Sequence, residues 1–312
     1  MVGGAEKHHS GEGWTASDYD TCMYYRATGG GELNILMTYV DILLTGNNHD
    51  EITRIKRQLL LKYEGRDLGT PKRILEVNIS ITERGISLNQ QLYAEIIVSE
   101  GMESVQVRGE STPLDPGMDM TARREYEGIL DGNIYSYPTL VGKLMFLAGM
   151  TRPDLSNSVR KLGRRTNAPC LRHWRGLQHV LRYITTHPYI GVSYDRQNEE
   201  AMNNILTGYS DSDWGGDTEN RRSVTGYIIL INGSPVAWKS KQGTVTLSSS
   251  EAEWTAMVHG MRHCLHIKGI IQALLMSQDT TQWYCDNREA IIKASTPDLN
   301  GRTKHTDIKL KC

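Results

Sequence analysis

No apolar run in these 312 residues approaches the ~18–20 that a membrane-spanning helix needs. The opening MVGGAEKHHSGEGW has no signal-peptide core, so an intracellular location is expected, cytoplasmic and nuclear both open, with no membrane partner. Paired cysteines are missing too. Cys22, Cys170, Cys264, Cys285 and Cys312 are odd in number and far apart. That spacing signals neither a disulfide framework nor a zinc site, and reduced thiols are expected. A basic excess is also lacking: 35 Lys and Arg stand against 36 Asp and Glu, for a net charge of −1. Phosphate contacts supply most non-specific nucleic-acid affinity, so any such face must be local. The candidate is Arg160, Lys161, Arg164, Arg165, Arg172, Arg175 and Arg182, a stretch with no acid among those residues. A solvated helix face is the alternative.

What is present suits soluble globular material, with 38% hydrophobic and 23% charged residues and room for two or three domains. TCMYYR and LNILMTYV read as strands around Gly29-Gly30-Gly31. Residues 49–65 place Ile52, Ile55, Leu59 and Tyr63 at helical spacing, with an end near Gly65. ILEVNISIT and RGISLNQ predict a hairpin turning near Arg84-Gly85. Prolines and glycines between Gly109 and Tyr137 mark a linker. Helical patterns follow to Tyr183, interrupted at Pro153 and Pro169. In the last third, ILTGYSDSDW is a strand, and SVTGYIILI and SPVAWKS flank Asn232-Gly233, the strongest short hairpin signal. GTVTLSS reads as one more strand of that meander. Residues 250–276 set Trp254, Met257, Val258, Met261, Leu265, Ile271, Leu274 and Leu275 roughly on one face of a long helix. Gly260 and Gly269 weaken it by about 1 kcal/mol each. TQWYCDN is a strand and REAIIKAS a short helix.

Three carboxylates stand out in this order of elements. Asp211 ends the first of these strands, Glu253 sits in the first turn of the long helix, and Asp286 ends the last strand. If the helix packs across adjacent strands, the three converge. Such a set suits Mg²⁺ (or Mn²⁺), which prefers oxygen ligands, and two ions can activate water and stabilise a leaving oxygen. Each acid also has a plainer reading. Asp211 and Asp213 can end a strand in a turn, Glu253 can pair with Ser250 in a capping box, with Ser248 and Glu251 as a second box, and Asp286 can cap the following helix.

The strings GYSDSDWGGDTENRRSVTGYIILINGSPVAWKSKQGTVTLSSSEAEWTAM, WYCDNREAI and RTKHTDI resemble the RNase H domain of copia-type retrotransposon Pol polyproteins. WTASDYDTCMYY, TYVDILLTGNN, STPLDPG, YSYPTLVGKLMFL, TRPDL and HWRGLQHVLRYI resemble the reverse transcriptase of the same family. The resemblance implies an α/β and α+β chain, in which an RNase H-like mixed sheet with flanking helices follows an incomplete palm, thumb and connection region. The implied units are a partial palm at 1–108, a thumb/connection-like helical region at 109–195 and a C-terminally truncated RNase H-like domain at 196–312. The family's first three RNase H carboxylates fall on Asp211, Glu253 and Asp286. Its fourth lies in a later helix, and Asp307 is read as structural.

The departures are as informative. The family's polymerase loop carries Tyr-x-Asp-Asp, whereas this chain runs Tyr39-Val40-Asp41-Ile42, as though one Asp were deleted, which leaves Asp41 vestigial. Such a deletion swaps the faces of the next strand unless a bulge absorbs it. Glu76 stands where the family usually has Gly. The expected function is that of a degenerate remnant with an inactive polymerase and weak Mg²⁺- or Mn²⁺-dependent cleavage of RNA in RNA–DNA hybrids. Other polyprotein pieces are possible partners. A non-catalytic nucleic-acid-binding module and a pseudogene product are the alternatives.

Overall fold

The strands form three four-stranded sheets, and helices pack on the first and the third. The computed structural model describes residues 13–28, 31–102, 109–196, 204–217, 219–274 and 280–295. The readings placed on residues 1–12, Gly29, Gly30, Leu275, Asp307, RTKHTDI and Cys312 lie outside the described residues.

The first sheet runs β1 (Thr15–Ala16), β2 (Met23–Thr28), β3 (Glu32–Thr38), β4 (Ile42–Gly46) in spatial order. Helix α1 (His49–Lys62) begins at Asn48, whose side chain accepts the Asp50 and Glu51 N–H groups at 3.0 and 3.2 Å. Its Ile55 and Leu59 join Trp14, Tyr24, Leu36 and Leu44 in a small core. No bulge interrupts the β3–β4 register; Leu44 faces that core and Ile42 is left exposed.

The second sheet is β5 (Arg73–Ile74), β6 (Val77–Thr82), β7 (Gly85–Asn89) and β8 (Val192–Asp195). Leu75 and Glu76, between β5 and β6, have φ of 47° and 64°. A left-handed pair closing a two-residue hairpin is the geometry that favours glycine, which explains why glycine is expected at position 76. The strain is on the order of 1 kcal/mol, and the exposed Arg73–Glu76 ion pair offsets little of it. Glu76→Gly is therefore expected to stabilise the chain by about 0.5–1 kcal/mol in urea unfolding. No gain would show that the turn is unstrained.

β8 reaches β7 across a long stretch of chain, pairing Leu88 with Val192. Helix α2 (Gln91–Gly101) buries Ala94 and Ile97 in the same core as Leu140, Leu144 and Leu147 of α3 (Tyr137–Met150) and Leu177 and Leu181 of α5 (Leu171–Thr186). The boundary expected at 108/109 thus cuts through one sheet and one core: α2 is apolar enough to need the helices beyond it. Between α3 and α4 (Ser156–Gly163), Arg152 is 1% exposed. It grips Asp154 at 2.9 and 2.7 Å, donates to the His187 carbonyl at 3.1 Å and lies over the Tyr183 ring.

The predicted linker is no free tether. Its 110–127 portion is strapped to α5 and to Arg165, just after α4. Arg172 donates to the carbonyls of Asp119 and Thr121 and to Glu127 (3.0 and 2.9 Å), Arg165 to Met120, and His173 to Thr121. The Arg172 bonds, with the Arg124 N–H, hold the Glu127 carboxyl down at about 2.

The third sheet has the order β11-β10-β9-β12. β9 (Leu206–Asp213), β10 (Val224–Ile231) and β11 (Ser234–Gln242) form an antiparallel meander, with Asn232 and Gly233 (φ 48° and 80°) as its two-residue turn. β12 (Gln282–Tyr284) lies parallel to β9. GTVTLSS forms no strand. The chain leaves the sheet at Gly243, and Thr246 is tied to Ser223 (2.8 Å) and to the Trp214 indole (3.2 Å), which aims it at the next helix. That helix, α6, spans Ser249–Ala273, and α7 spans Arg288–Ser295. Leu265, expected on the apolar face of α6, is exposed, and Cys264 is buried beside it. The two α6 glycines have a packing reason. A side chain on Gly260 would run into the Trp283 ring, which also covers Gly208, and one on Gly269 would run into Tyr19. Among the described residues no helix is long and apolar enough to cross a membrane.

Candidate functional site

Strand alternation separates the residues of β9. Leu206, Gly208 and Ser210 are buried, while Tyr209, Asp211 and Asp213 are exposed. Because β12 pairs beside β9, its end brings Cys285 and Asp286 to the edge where Asp211 stands.

Capping accounts for neither Glu253 nor Asp286. The α6 N-cap is Ser248, which accepts the Glu251 N–H at 3.2 Å, and Glu251 accepts the Leu247 N–H at 2.9 Å. Ser250 takes the Lys293 ammonium instead (2.8 Å). At α7 the Asn287 side chain accepts the Ala290 N–H at 3.0 Å. Glu253 is therefore released to face the sheet. It is 6% exposed, and its Oε1 accepts the Ser212 N–H and hydroxyl, both at 2.9 Å. Its Oε2 faces the Cys285 thiol at 3.8 Å.

One donor atom from each of Glu253, Cys285 and Asp286 lies within 4.8 Å of the other two. Asp211 falls outside that group. Burial raises the Glu253 pKa, the two Ser212 bonds oppose it, and the charges of Asp211 and Asp286 add to it. Two carboxylates with buried and exposed faces suit a hard divalent ion, and Asp211 is near enough for its charge to be felt. Beside them opens a cleft of about 790 Å³ between α4 and the sheet. Asn157, Arg160 and Lys161 line one wall; Tyr209 and Tyr284, stacked at 5.0 Å, lie across from it.

The basic stretch does not form a free face. Arg164 pairs with Asp217 (2.5 Å) and Glu219, Arg165 with Glu219, Arg172 with Asp119 and Glu127, and Arg182 with Glu110. Acids distant in sequence neutralise these arginines, so the local lack of acid misleads. Arg160 bonds Ser240 and Asn157 at the cleft, Lys161 lines it, and Arg175 is exposed without an ion-pair partner among the described residues. Asp41 sits apart, at the exposed tip of the β3–β4 hairpin, where the Tyr39 N–H donates to its carbonyl at 3.0 Å. Among the described residues it belongs to no group of three possible ligands.

A Saccharomyces cerevisiae protein of transposon Ty5-1 is 31% identical over 238 residues, 74% of either chain. The retrovirus-related Pol polyprotein from transposon TNT 1-94 of Nicotiana tabacum is 31% identical over 297 residues, 93% of this chain. This chain belongs to the copia-type retrotransposon Pol family. The polyprotein from transposon RE2 of Arabidopsis thaliana is 28% identical over 296 residues, 94% of this chain. The Pol-family chain spans about a fifth of the length of these polyproteins, 22% and 20% respectively. No family model and no solved structure matches it.

Sequence reasoning missed two parts of this cluster. Ser212 was one, although its place beside Asp211 was a usable signal. Cys285 was the other, set aside because its nearest cysteine partner in sequence is far away, while its actual neighbours are carboxylates.

Proposed function

We propose that this chain carries an RNase H-type site on an RNase H-like fold, cleaving the RNA strand of RNA–DNA hybrids, and that its polymerase is inactive. The observation that carries this reading is Glu253: a buried carboxylate, free of any capping role, held by Ser212 and facing Asp286 across the β9–β12 edge. The order β11-β10-β9-β12 with α6 packed on β9 and β10 supports the fold assignment.

Glu253 and Asp286, with Asp211 beside them, would hold Mg²⁺ or Mn²⁺, which supplies an activated water and stabilises a leaving oxygen. Ser212 fixes the Glu253 carboxylate so that Oε2 stays turned toward Cys285, at the end of β12 beside Asp286. Arg160 and Lys161 offer positive charge to a phosphate backbone in the cleft, and the Tyr209–Tyr284 pair offers a face for stacking. The test is cleavage of a labelled hybrid by the purified chain with Mg²⁺ or Mn²⁺. Tight hybrid binding in chelator, with no cleavage when metal is restored, would favour a non-catalytic binding module; the position of Asp211 outside the ligand group is the observation on that side.

Primer extension is expected to be absent. In-line phosphoryl transfer needs carboxylates that hold its metal ions, and among the described residues Asp41 joins no group of three possible ligands. Template-directed extension that disappears in Asp41→Ala would overturn this.

A further inference from the structure

We infer that Cys285 is a metal ligand, and that the Glu253–Cys285–Asp286 group takes a thiophilic divalent cation of the zinc class in preference to Mg²⁺. The inference rests on the reading of Glu253 and Asp286 as ligands and replaces the Mg²⁺ or Mn²⁺ of that reading with a softer ion. Three features of the group carry it.

The first is distance. Zinc holds sulfur at about 2.3 Å and carboxylate oxygen at about 2.0–2.2 Å, so two tetrahedral ligands of these kinds stand about 3.6 Å apart. Cys285 Sγ and Glu253 Oε2 are 3.8 Å apart. The second is an unmet need. Glu253 is 6% exposed, and its Oε2 receives no N–H or O–H donor among the described residues, only this long thiol contact. Both strong donors go to Oε1. A buried carboxylate oxygen in that state is costly unless a proton or a cation completes it, and the thiol beside it adds a ligand for the cation. The third is direction. Neighbouring residues of a strand point to opposite faces, yet Cys285 and Asp286 both present donors to Glu253 within 4.8 Å. They can do so because β12 ends at Tyr284.

Sulfur changes which ion fits. Mg²⁺ demands octahedral oxygen ligands, whereas thiolate selects softer cations such as Zn²⁺. Two carboxylates and one thiolate make three protein ligands, which leaves a fourth tetrahedral position open. That is the donor count of catalytic rather than structural zinc sites.

The experiment is titration of the full chain with Co²⁺ under reducing conditions, read as thiolate-to-cobalt charge-transfer absorption, with Zn²⁺ as competitor. The expected result is a band that Zn²⁺ displaces and excess Mg²⁺ does not. Cys285→Ser should abolish the band and weaken Zn²⁺ binding by at least the roughly 10-fold that loss of a mere outer-shell partner costs, while Cys22→Ser leaves both intact. Cys285→Asp should retain cation binding without the band, which guards against a variant that merely misfolds. No band in the unaltered chain, or a band that survives in Cys285→Ser, overturns the inference. Mg²⁺-supported hybrid cleavage without a band sinks the Cys285 role and leaves the nuclease reading standing. A Cys285-dependent band without cleavage does the reverse.

Discussion

Glu253→Gln should lower metal-dependent hybrid cleavage at least about a hundredfold while making the metal-free chain more stable at neutral pH. The loss of activity follows from removing a charged ligand at the reaction centre, where single electrostatic contacts are worth roughly 10²–10³ in rate. The gain in stability follows from burial. Glu253 is raised above the ordinary carboxylate range chiefly by desolvation, with Asp211 and Asp286 adding repulsion. A folded pKa above the unfolded value of about 4.3 stabilises fully below the unfolded value and loses that contribution as pH rises through the folded one. Glutamine keeps an oxygen for the Ser212 donors and carries no charge. The melting temperatures of the two proteins should therefore diverge as pH rises above about 4.3, with the variant ahead near neutrality. Added divalent metal should close the gap by stabilising only the unaltered chain. A variant that still cleaves, or that is less stable at every pH, would remove Glu253 from the site.

Arg152→Ala carries the largest expected stability loss, about 3–5 kcal/mol, or roughly a 10 °C fall in melting temperature. The guanidinium is 1% exposed and makes paired bonds to Asp154, so its removal strands a carboxylate that also accepts the Tyr183 hydroxyl at 3.0 Å. It also leaves the His187 carbonyl without its donor. Arg152→Lys should recover little, because an ammonium cannot supply the planar double contact. The double variant Arg152→Ala/Asp154→Ala should be more stable than Arg152→Ala alone, since no half-buried carboxylate is left unpaired. A loss below about 1 kcal/mol in thermal melts would show that Asp154 finds other compensation.

Local signals determined much of this molecule. The Asn232-Gly233 turn, the helix beginning near Ser248, the hairpin around Arg84 and the prolines that interrupt the helical region act through backbone preference, which neighbours in sequence settle. So does the alternation that leaves Asp211 exposed at the end of β9 while Ser210 is buried. The order of elements also sufficed to propose that Glu253 and Asp286 converge, since a strand returning beside β9 leaves few other places for them.

Charge partners and packing partners were decided only in three dimensions. A run of arginines shows no local acid, yet Asp119, Glu127, Asp217 and Glu219 reach it from distant loops and convert a supposed nucleic-acid face into a strap. The glycines of α6 read as weak points until Trp283 and Tyr19 are seen to occupy the space they leave. GTVTLSS has strand-like composition, and the bonds of Ser223 to the Thr246 hydroxyl and of the Trp214 indole to the Thr246 carbonyl override it. Coulomb and contact energies depend on distance in space and are blind to separation along the chain. For that reason the sequence determined the elements and the acids, while the tertiary structure decided which groups they face, down to the cysteine beside Glu253.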